Sequence, residues 1–200
     1  LLFKRGKMAW LEVETKVRIH DVSEMRERVR KVANFVKKEK RADDYFALKR
    51  KGYPKKAFRI RAKKDEFEIN FKRWLKKYWS KDIVVKREFE FNLRNKEHVE
   101  DLLALFRDLN FVEWVKKRKN SESYVHKKDK RLVIEINKIE HLGYFLEIEY
   151  LCQKYEMQKA KRKIRAVLRE LNVNQKDIDN TGYTKMLWDR GIRDKRYFID

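Results

Sequence analysis

The sequence contains little of the residue types that cross-link, bend or interrupt a chain. Its 200 residues include one cysteine, one proline and five glycines. Because Cys152 is the only cysteine, an intrachain disulfide is excluded, and a reducing, cytoplasmic location is the simpler expectation. No apolar run approaches the roughly 18 residues that a membrane-spanning helix needs, so we expect no membrane partner. Glycine-rich phosphate loops and Cys/His spacings for zinc are absent too.

Positive charge is what the chain has in excess. Lysine and arginine total 54 against 32 acidic residues, which gives a formal net charge of +22. Such an excess attracts anions, including nucleotides, polyphosphate and nucleic acid. Hydrophobic residues make up 42% of the sequence, which is enough for a packed core. No flexible linker divides the chain, so we predict a single domain over residues 8–200. Residues 1–7 precede Met8 and are predicted to be an N-terminal extension.

Apolar and charged residues alternate along several segments, as they do in β-strands with one buried face. Residues 9–19 are the clearest case, and their charged face carries Glu12, Glu14, Lys16 and Arg18. Further strands are predicted over residues 43–48, 57–63, 66–74, 83–92, 111–119, 123–128, 132–138 and 144–150. The segment at Lys64 and Asp65 is predicted to be a hairpin turn.

Three longer segments show the spacing of amphipathic helices. Asp21 can cap the first, whose apolar stripe is predicted to run from Val22 to Val36. The second and third are predicted over residues 96–110 and 154–171, with short helical turns near residues 174–177 and 184–188.

Two architectures are compatible with these strands. The first is an antiparallel sheet with its charged face in water. The second is a closed barrel whose apolar face points outward under the helices and whose charged face lines the interior, which would also remove exposed strand edges. A charged interior is unfavourable unless its charges pair or bind a ligand. Carboxylates suit Mg²⁺ or Mn²⁺, and lysine and arginine suit phosphate, so a metal-bound triphosphate would require both.

Several short motifs follow one another in an order that resembles a known family. Residues 12–16, Glu-Val-Glu-Thr-Lys, match the E-x-E-x-K pattern that opens CYTH proteins, the triphosphate tunnel superfamily. Arg59 and Arg61 resemble the R-x-R strand of that family, and Lys72 follows on the next strand.

The later motifs continue the series. Residues 86–90 resemble the basic-then-acidic strand before the central helix, and Lys116 with Arg118 resembles a K-x-R pair. Residues 142–149, LGYFLEIE, closely resemble the ending of the class IV adenylyl cyclase branch, and residues 183–187 its C-terminal segment. The resemblance spans about residues 8–187. It implies an α+β fold, a closed antiparallel β-barrel with amphipathic helices packed on the outside.

The resemblance also implies roles for individual residues. Divalent metal, Mg²⁺ or Mn²⁺, would be held by Glu12, Glu14, Glu147 and Glu149. Phosphates would be held by Lys16, Arg59, Arg61, Lys72, Lys116 and Arg118. The catalytic candidates are Glu88, Glu90, Glu135 and Asn137.

Asn137 is where the sequence departs from the family pattern. The family usually has an aspartate at this position, on the strand before the L-G pair. An amide is a poorer metal ligand than a carboxylate and cannot act as a base. Glu135, two residues earlier on the same face, is a candidate substitute.

Three functions remain open from the sequence. The first is a class IV adenylyl cyclase-like conversion of ATP to cyclic AMP and pyrophosphate. The second is a triphosphatase that hydrolyses tripolyphosphate, thiamine triphosphate, a nucleotide or an RNA 5′-triphosphate. The third is a binding protein for polyphosphate or nucleic acid without catalysis. Relatives often form dimers, so a homodimer is among the expected assemblies.

Basic runs outside the predicted barrel strands have two interpretations. Residues 37–41, 49–51, 76–77 and 159–165 are rich in lysine and arginine. They are either a solvated surface or a means of steering a polyanion such as an RNA 5′ end.

Overall fold

The computed structural model of the protein describes residues 10–63 and 66–193. The predicted N-terminal extension over residues 1–7 and the predicted turn at Lys64 and Asp65 lie outside the described residues. The strands are β1 (Leu11–Ile19), β2 (Ala33–Leu48), β3 (Ala57–Ala62), β4 (Phe67–Trp74), β5 (Val84–Leu93), β6 (Phe111–His126), β7 (Leu132–Ile139) and β8 (Gly143–Cys152). The α-helices of the described part are α1 (Val22–Val32), α2 (Lys96–Asp108), α3 (Met157–Glu170) and α4 (Tyr183–Asp189), and short 3₁₀ turns occupy Lys76–Tyr78, Lys154–Glu156 and Gln175–Asp177.

All eight strands pair antiparallel in one closed barrel, in the order β1-β5-β4-β3-β2-β6-β7-β8. Strand β1 completes the ring because it pairs with β8 along one edge and with β5 along the other. Closure gives each described strand a partner on both sides over part of its length. The predicted closed barrel with helices outside is therefore confirmed, and the open sheet is not observed.

The outer apolar face of the barrel is covered by helices. Helix α3 buries Ile164 and its neighbours against Val13 and Val17 of β1 and Ile148 of β8. Helix α2 places its apolar stripe over the outer faces of β3 and β4, with Val99 beside Ile60. This leaves the charged faces of the strands for the interior, because successive residues of a strand point to opposite sides.

One end of the barrel is packed against helix α4. Met186 and Leu187 of this helix join Phe145 of β8 and Ile139 of β7 in a separate apolar cluster. Gly143, at a φ of 94°, forms the tight turn that starts β8, a conformation that glycine adopts without strain.

The long paired strands β2 and β6 correct the sequence-based boundaries. Helix α1 ends at Val32, not Val36, and β2 begins directly at Ala33. Strands β2 and β6 are each 16 residues long and pair from Ala33 and His126 to Leu48 and Phe111. The helical spacing of residues 33–36 is overridden by this pairing. Residues 37–41, predicted to lie outside the barrel strands, therefore lie within one.

None of the helices in residues 10–63 and 66–193 combines the length and the apolar character that crossing a bilayer requires.

The packing of α3 predicts a large effect of one truncation. Ile164 is fully buried, so Ile164→Ala leaves a cavity and should lower the free energy of unfolding by about 2–5 kcal/mol. Urea denaturation followed by tryptophan fluorescence measures this. Leu105→Ala on α2 is the matched control, because Leu105 is 55% exposed and should change stability by less than about 0.5 kcal/mol. Similar losses in the two variants would contradict the assigned packing.

Candidate functional site

Three carboxylates converge on the inner face where β1 meets β8. Glu12, Glu14 and Glu149 each offer an oxygen, and these atoms lie within 4.8 Å of one another. The register of the two strands explains the meeting, because Glu14 is directly opposite Glu149. This arrangement suits a divalent cation, which prefers oxygen ligands.

Burial makes these carboxylates difficult to ionise together. It raises the pKa of Glu149 to about 8, with the Glu88 carboxylate adding to the shift. Burial and the same Glu88 carboxylate also raise the pKa of Glu12 well above its ordinary value. Burial would raise the pKa of Glu14 as well, but Lys86 more than offsets this and the pKa lies well below the usual range. Among the described residues, Glu149 has no hydrogen-bond or ion-pair partner, so it is the carboxylate with the least compensation.

Lysines from β4 and β5 hold the other acids. Lys72 Nζ lies 2.9 Å from a Glu12 oxygen and 2.6 Å from a Glu88 oxygen. Lys86 Nζ forms an ion pair with Glu14 and lies 3.9 Å from Glu12. The pKa of Lys72 is raised well above its ordinary value, because Glu12 and Glu88 outweigh the effect of burial. A cation or phosphate entering this region would compete for these same partners.

A second charged group lies around Asp43 of β2. Its side chain is fully buried and contacts Arg61 Nε at 2.6 Å and Lys117 Nζ at 2.8 Å, with Arg59 at 3.9 Å. Burial alone would raise the pKa of Asp43, but Lys117 and the two arginines hold it far below the usual range. Arg59 also forms an ion pair with Glu68 on β4. Three cations from two strands, β3 and β6, therefore share a small volume with two carboxylates.

Asn137 organises a third group. Its side-chain oxygen accepts a hydrogen bond from Ser121 at 2.5 Å, and its nitrogen donates to Glu147 at 2.8 Å and Glu135 at 3.3 Å. Lys119 donates to Glu135 at 3.0 Å. An amide can bridge two carboxylates in this way because it donates where an aspartate could only accept.

Lys16 lies at the end of the barrel near α4. Its ammonium group donates to the carbonyl of Thr181 and lies 4.1 Å from the centroid of the Tyr183 ring. Burial lowers the pKa of Lys16 to about 8, although Glu147 acts in the opposite direction. The pKa of Tyr183 is raised by burial and by Glu147, beside which its hydroxyl lies without a well-aligned hydrogen bond.

The structure brings most of the sequence-predicted residues to one interior. These are Glu12, Glu14, Lys16, Arg59, Arg61, Lys72, Glu88, Glu135, Asn137, Glu147 and Glu149. Glu90 faces the same side of β5 but is exposed, where it accepts a hydrogen bond from Asn70 at 3.2 Å. The metal, phosphate and catalytic roles of these residues remain predictions.

Lys116 and Arg118 are not brought to the interior, which corrects the predicted K-x-R pair. Lys116 lies on the outer face with Asp44 at 3.1 Å, and Arg118 lies there with Glu140 at 3.5 Å. Lys117 and Lys119 point inward in their place. The physical reason is a bulge at Trp114, where Tyr45 pairs with Val115 and the next residue of β2 pairs with Glu113.

Sequence reasoning also missed other interior residues, namely Arg41, Asp43, Lys86, Ser121 and Tyr183. For Lys86 a signal was available, since it shares the charged face of β5 with Glu88 and Glu90. Arg41 carried none, because the segment before residue 43 was not recognised as a strand, and Asp43 was only the first residue of the strand predicted over residues 43–48.

Residues 11–183 match the family model of the CYTH domain. The chain belongs to the CYTH domain family. A Methanocaldococcus jannaschii protein provisionally named an adenylate cyclase is 28% identical over 180 residues, which is 88% of this chain and 98% of that protein.

Solved structures show the same fold. A Pyrococcus horikoshii protein, PH1819, superposes with a TM-score of 0.69 and 27% identity, covering 90% of this chain and 99% of the other. A Hippeastrum protein, provisionally an adenylyl cyclase and described with a dominant triphosphatase activity, has a TM-score of 0.60 at 16% identity, covering 90% and 96% of the two chains. Proteins that this chain resembles in sequence or in fold are thus named for both activities.

The raised pKa of Glu149 predicts how stability of this CYTH domain changes with pH when no divalent cation is present. The folded protein holds this proton up to about pH 8, whereas the ordinary value is 4.5. Stability contributed by the protonated form is therefore lost as the pH rises between these values, with a slope of at most about 1.4 kcal/mol per pH unit for one proton. Glu149→Gln should make this slope smaller in urea denaturation with EDTA.

Glu140→Gln is the control for this experiment, because Glu140 lies on the outer face and is exposed. It should keep the wild-type pH dependence. An unchanged slope in Glu149→Gln would show that Glu149 is not the group responsible.

Proposed function

We propose that this CYTH domain is a divalent-cation-dependent enzyme that acts on a triphosphate inside the barrel. The convergence of Glu12, Glu14 and Glu149 within 4.8 Å, on the same inner face as the lysines and arginines, carries the proposal. A cation site alone would need only the acids, and an anion site alone only the bases. Both together fit a triphosphate that arrives with its metal.

The donor set fits Mg²⁺ or Mn²⁺. Glu12, Glu14 and Glu149 would hold the ion, and Glu147, which Asn137 fixes by a hydrogen bond of 2.8 Å, lies two residues away on the same face of β8. When bound, such an ion neutralises phosphate charge and increases the acidity of an oxygen nucleophile. The ion would also relieve the repulsion that raises the pKa values of Glu12 and Glu149.

Cations from five strands would hold the phosphates. Arg59 and Arg61 of β3 offer the bidentate geometry that suits phosphate oxygens. The lysines are supplied by β1, β4, β5 and β6, namely Lys16, Lys72, Lys86, Lys117 and Lys119. Phosphate oxygens would take the places that carboxylates such as Asp43 and Glu68 now occupy beside these cations.

Cyclisation of ATP to cyclic AMP and pyrophosphate is the first candidate reaction. Residues 142–149 and the Methanocaldococcus jannaschii relative support it. In this reaction the chain must orient the ribose 3′ oxygen toward the α-phosphate and also hold adenine. Glu88 and Glu135 are the inner-face carboxylates that could accept the proton. Asn137 would position Glu135 and Glu147 and would not take the proton itself.

Hydrolysis of a triphosphate is the second candidate, and the lining of the site favours it. The side chains around the carboxylate cluster are charged, with Lys72, Lys86 and Glu88 closest to it. Such a lining suits phosphate groups better than a purine ring. A water molecule needs only to be oriented, so hydrolysis requires fewer contacts than cyclisation. Tripolyphosphate, thiamine triphosphate, a nucleotide or an RNA 5′-triphosphate would all present the same group.

A binding protein without catalysis is disfavoured by the buried acids. A protein that only bound anions would lose affinity by placing Glu12 and Glu149 beside the anion.

Product analysis distinguishes these functions. Purified protein is incubated with ATP and, separately, with tripolyphosphate in Mg²⁺ and in Mn²⁺. Cyclic AMP with pyrophosphate would support cyclisation, and orthophosphate without cyclic AMP would support hydrolysis. Binding of both compounds without turnover of either would contradict an enzyme for these substrates.

Removing a carboxylate of the cluster should abolish turnover. Glu12→Gln keeps the size of the side chain but removes a charge, so we expect a loss of about 10²–10³ in kcat at fixed metal concentration. Glu140→Gln on the outer face is the control and should retain activity. A Glu12→Gln variant with wild-type kcat would contradict the assigned cluster. If the protein only bound anions, Glu12→Gln would keep or increase its affinity for the triphosphate.

The correction of the K-x-R pair gives a second test. Lys117→Gln should weaken turnover because Lys117 lies inside the barrel, whereas Lys116→Gln should leave it unchanged because Lys116 lies outside. We expect kcat/KM to fall at least tenfold in the first variant, about 1.4 kcal/mol of lost stabilisation. Steady-state kinetics on the substrate found above measure this. A larger loss of kcat/KM in Lys116→Gln than in Lys117→Gln would instead support the sequence-based pair of Lys116 and Arg118.

A further inference from the structure

A cleft on the outside of the barrel has no part in the proposed reaction. It lies between α1 and the start of the β2–β6 pair and has a volume of about 560 Å³. We call it the outer cleft and define it by its lining residues, which are Arg26, Arg30, Phe35, Lys38, Glu122 and Tyr124. Its size is in the range of clefts that hold small organic ligands, about 300–1,000 Å³.

An exposed aromatic ring forms one wall of the outer cleft. Phe35 is 56% exposed, which is unusual for phenylalanine. Its ring forms a T-shaped pair with the buried ring of Tyr124, with centroids 5.5 Å apart and an interplanar angle of 74°. A bulge at Val36 lets Phe35 share the outer face with Lys38, because Phe35 pairs with Tyr124 and Lys37 with Ser123. The exposed ring of Phe35 is therefore held beside cations.

The charges of the outer cleft are mostly positive. Arg26 donates two hydrogen bonds to Glu122, at 3.0 and 2.8 Å, so the charges of these two residues neutralise each other. Lys38 lies 3.7 Å from the same carboxylate and is well exposed. Arg30 is exposed, and in the described part of the chain its guanidinium has no carboxylate partner. Arg30 and Lys38, which line the same cleft as Phe35, are thus available to an anion.

The positive surface continues from the outer cleft along the β2–β6 pair. The outward residues alternate with the inner ones, so Lys38, Lys40 and Arg118 lie on the same side of the sheet. Lys40 and Arg118 are exposed, and the ion pair of Arg118 with Glu140 has a nitrogen–oxygen distance of 3.5 Å. A row of cations along one face, beginning at an aromatic ring, is typical of surfaces that follow a nucleic-acid backbone.

We propose that the outer cleft binds one nucleotide of a single-stranded nucleic acid. The base stacks on Phe35, and the flanking phosphates contact Arg30 and Lys38. The strand continues toward Lys40 and Arg118. Inorganic polyphosphate would use the cations but not the ring, so the exposed phenylalanine favours a ligand that has both phosphate and an aromatic base. The proposal does not depend on which reaction occurs inside the barrel.

Fluorescence anisotropy with a labelled oligouridine that has no terminal phosphate tests the proposal on the full chain. Phe35→Ala should weaken binding by about tenfold, and Phe35→Trp should restore it. Arg30→Gln and Lys38→Gln should each lower the slope of log K against log salt by about 0.7. Phe91→Ala is the matched control, because Phe91 is 53% exposed on β5 and lies outside the cleft. It should bind as the wild type does.

Two further probes separate the sources of binding. An abasic strand of the same length should bind more weakly than oligouridine to the wild type and equally to Phe35→Ala. Uridine monophosphate should compete weakly, since it lacks the flanking phosphates. Equal binding of the abasic strand to the wild type, or no effect of Phe35→Ala, would overturn the proposal. Binding to phosphatidylserine vesicles without binding to oligouridine would also overturn it.

Discussion

Pairing of opposite charges inside a closed barrel is the constraint on which the rest of this structure depends. Lys72 lies between Glu12 and Glu88, and Asp43 lies among Arg59, Arg61 and Lys117. Removed from water, each of these groups would be unfavourable without its partner. The partners come from different strands: Lys72–Glu88 and Asp43–Arg61 join neighbours in the sheet, and Lys72–Glu12 reaches from β4 past β5 to β1. The apolar faces must then point outward, which is why α2 and α3 cover the barrel.

The carboxylate cluster is where this compensation is incomplete. Glu149 has no hydrogen-bond or ion-pair partner in the described residues, and burial raises its pKa to about 8. The outer core of the barrel, which includes fully buried Ile148 and Ile164, tolerates this local loss of stability. A site that repels its own carboxylates gains most from a bound cation. The carboxylates whose negative charge is least compensated by the protein are therefore the ones whose charge a bound metal ion would neutralise.

Alternation along the β2–β6 pair gives the protein two anion-facing surfaces. The inner residues, including Asp43, Lys117 and Lys119, belong to the interior charge network. The outer residues, including Lys38 and Lys40, continue the surface of the outer cleft. Because both strands are 16 residues long, this pair has room for both surfaces. Part of the large positive charge of the chain is thus placed on these two surfaces.

The sequence by itself determined the elements with strong local periodicity. The alternation of β1 and β8, the stripes of α2 and α3 and the common face of Glu12 and Glu14 were predicted correctly, because side-chain direction within a regular element follows from spacing. The metal-binding role of these carboxylates stays a prediction. Only the tertiary structure decided the boundary between α1 and β2 and the inward direction of Lys117 and Lys119. A bulge moves every later residue of a strand to the opposite face, and bulges at Val36 and Trp114 exist only in the pairing of β2 with β6. No local pattern in the sequence indicates where one strand of a pair will contain an extra, unpaired residue.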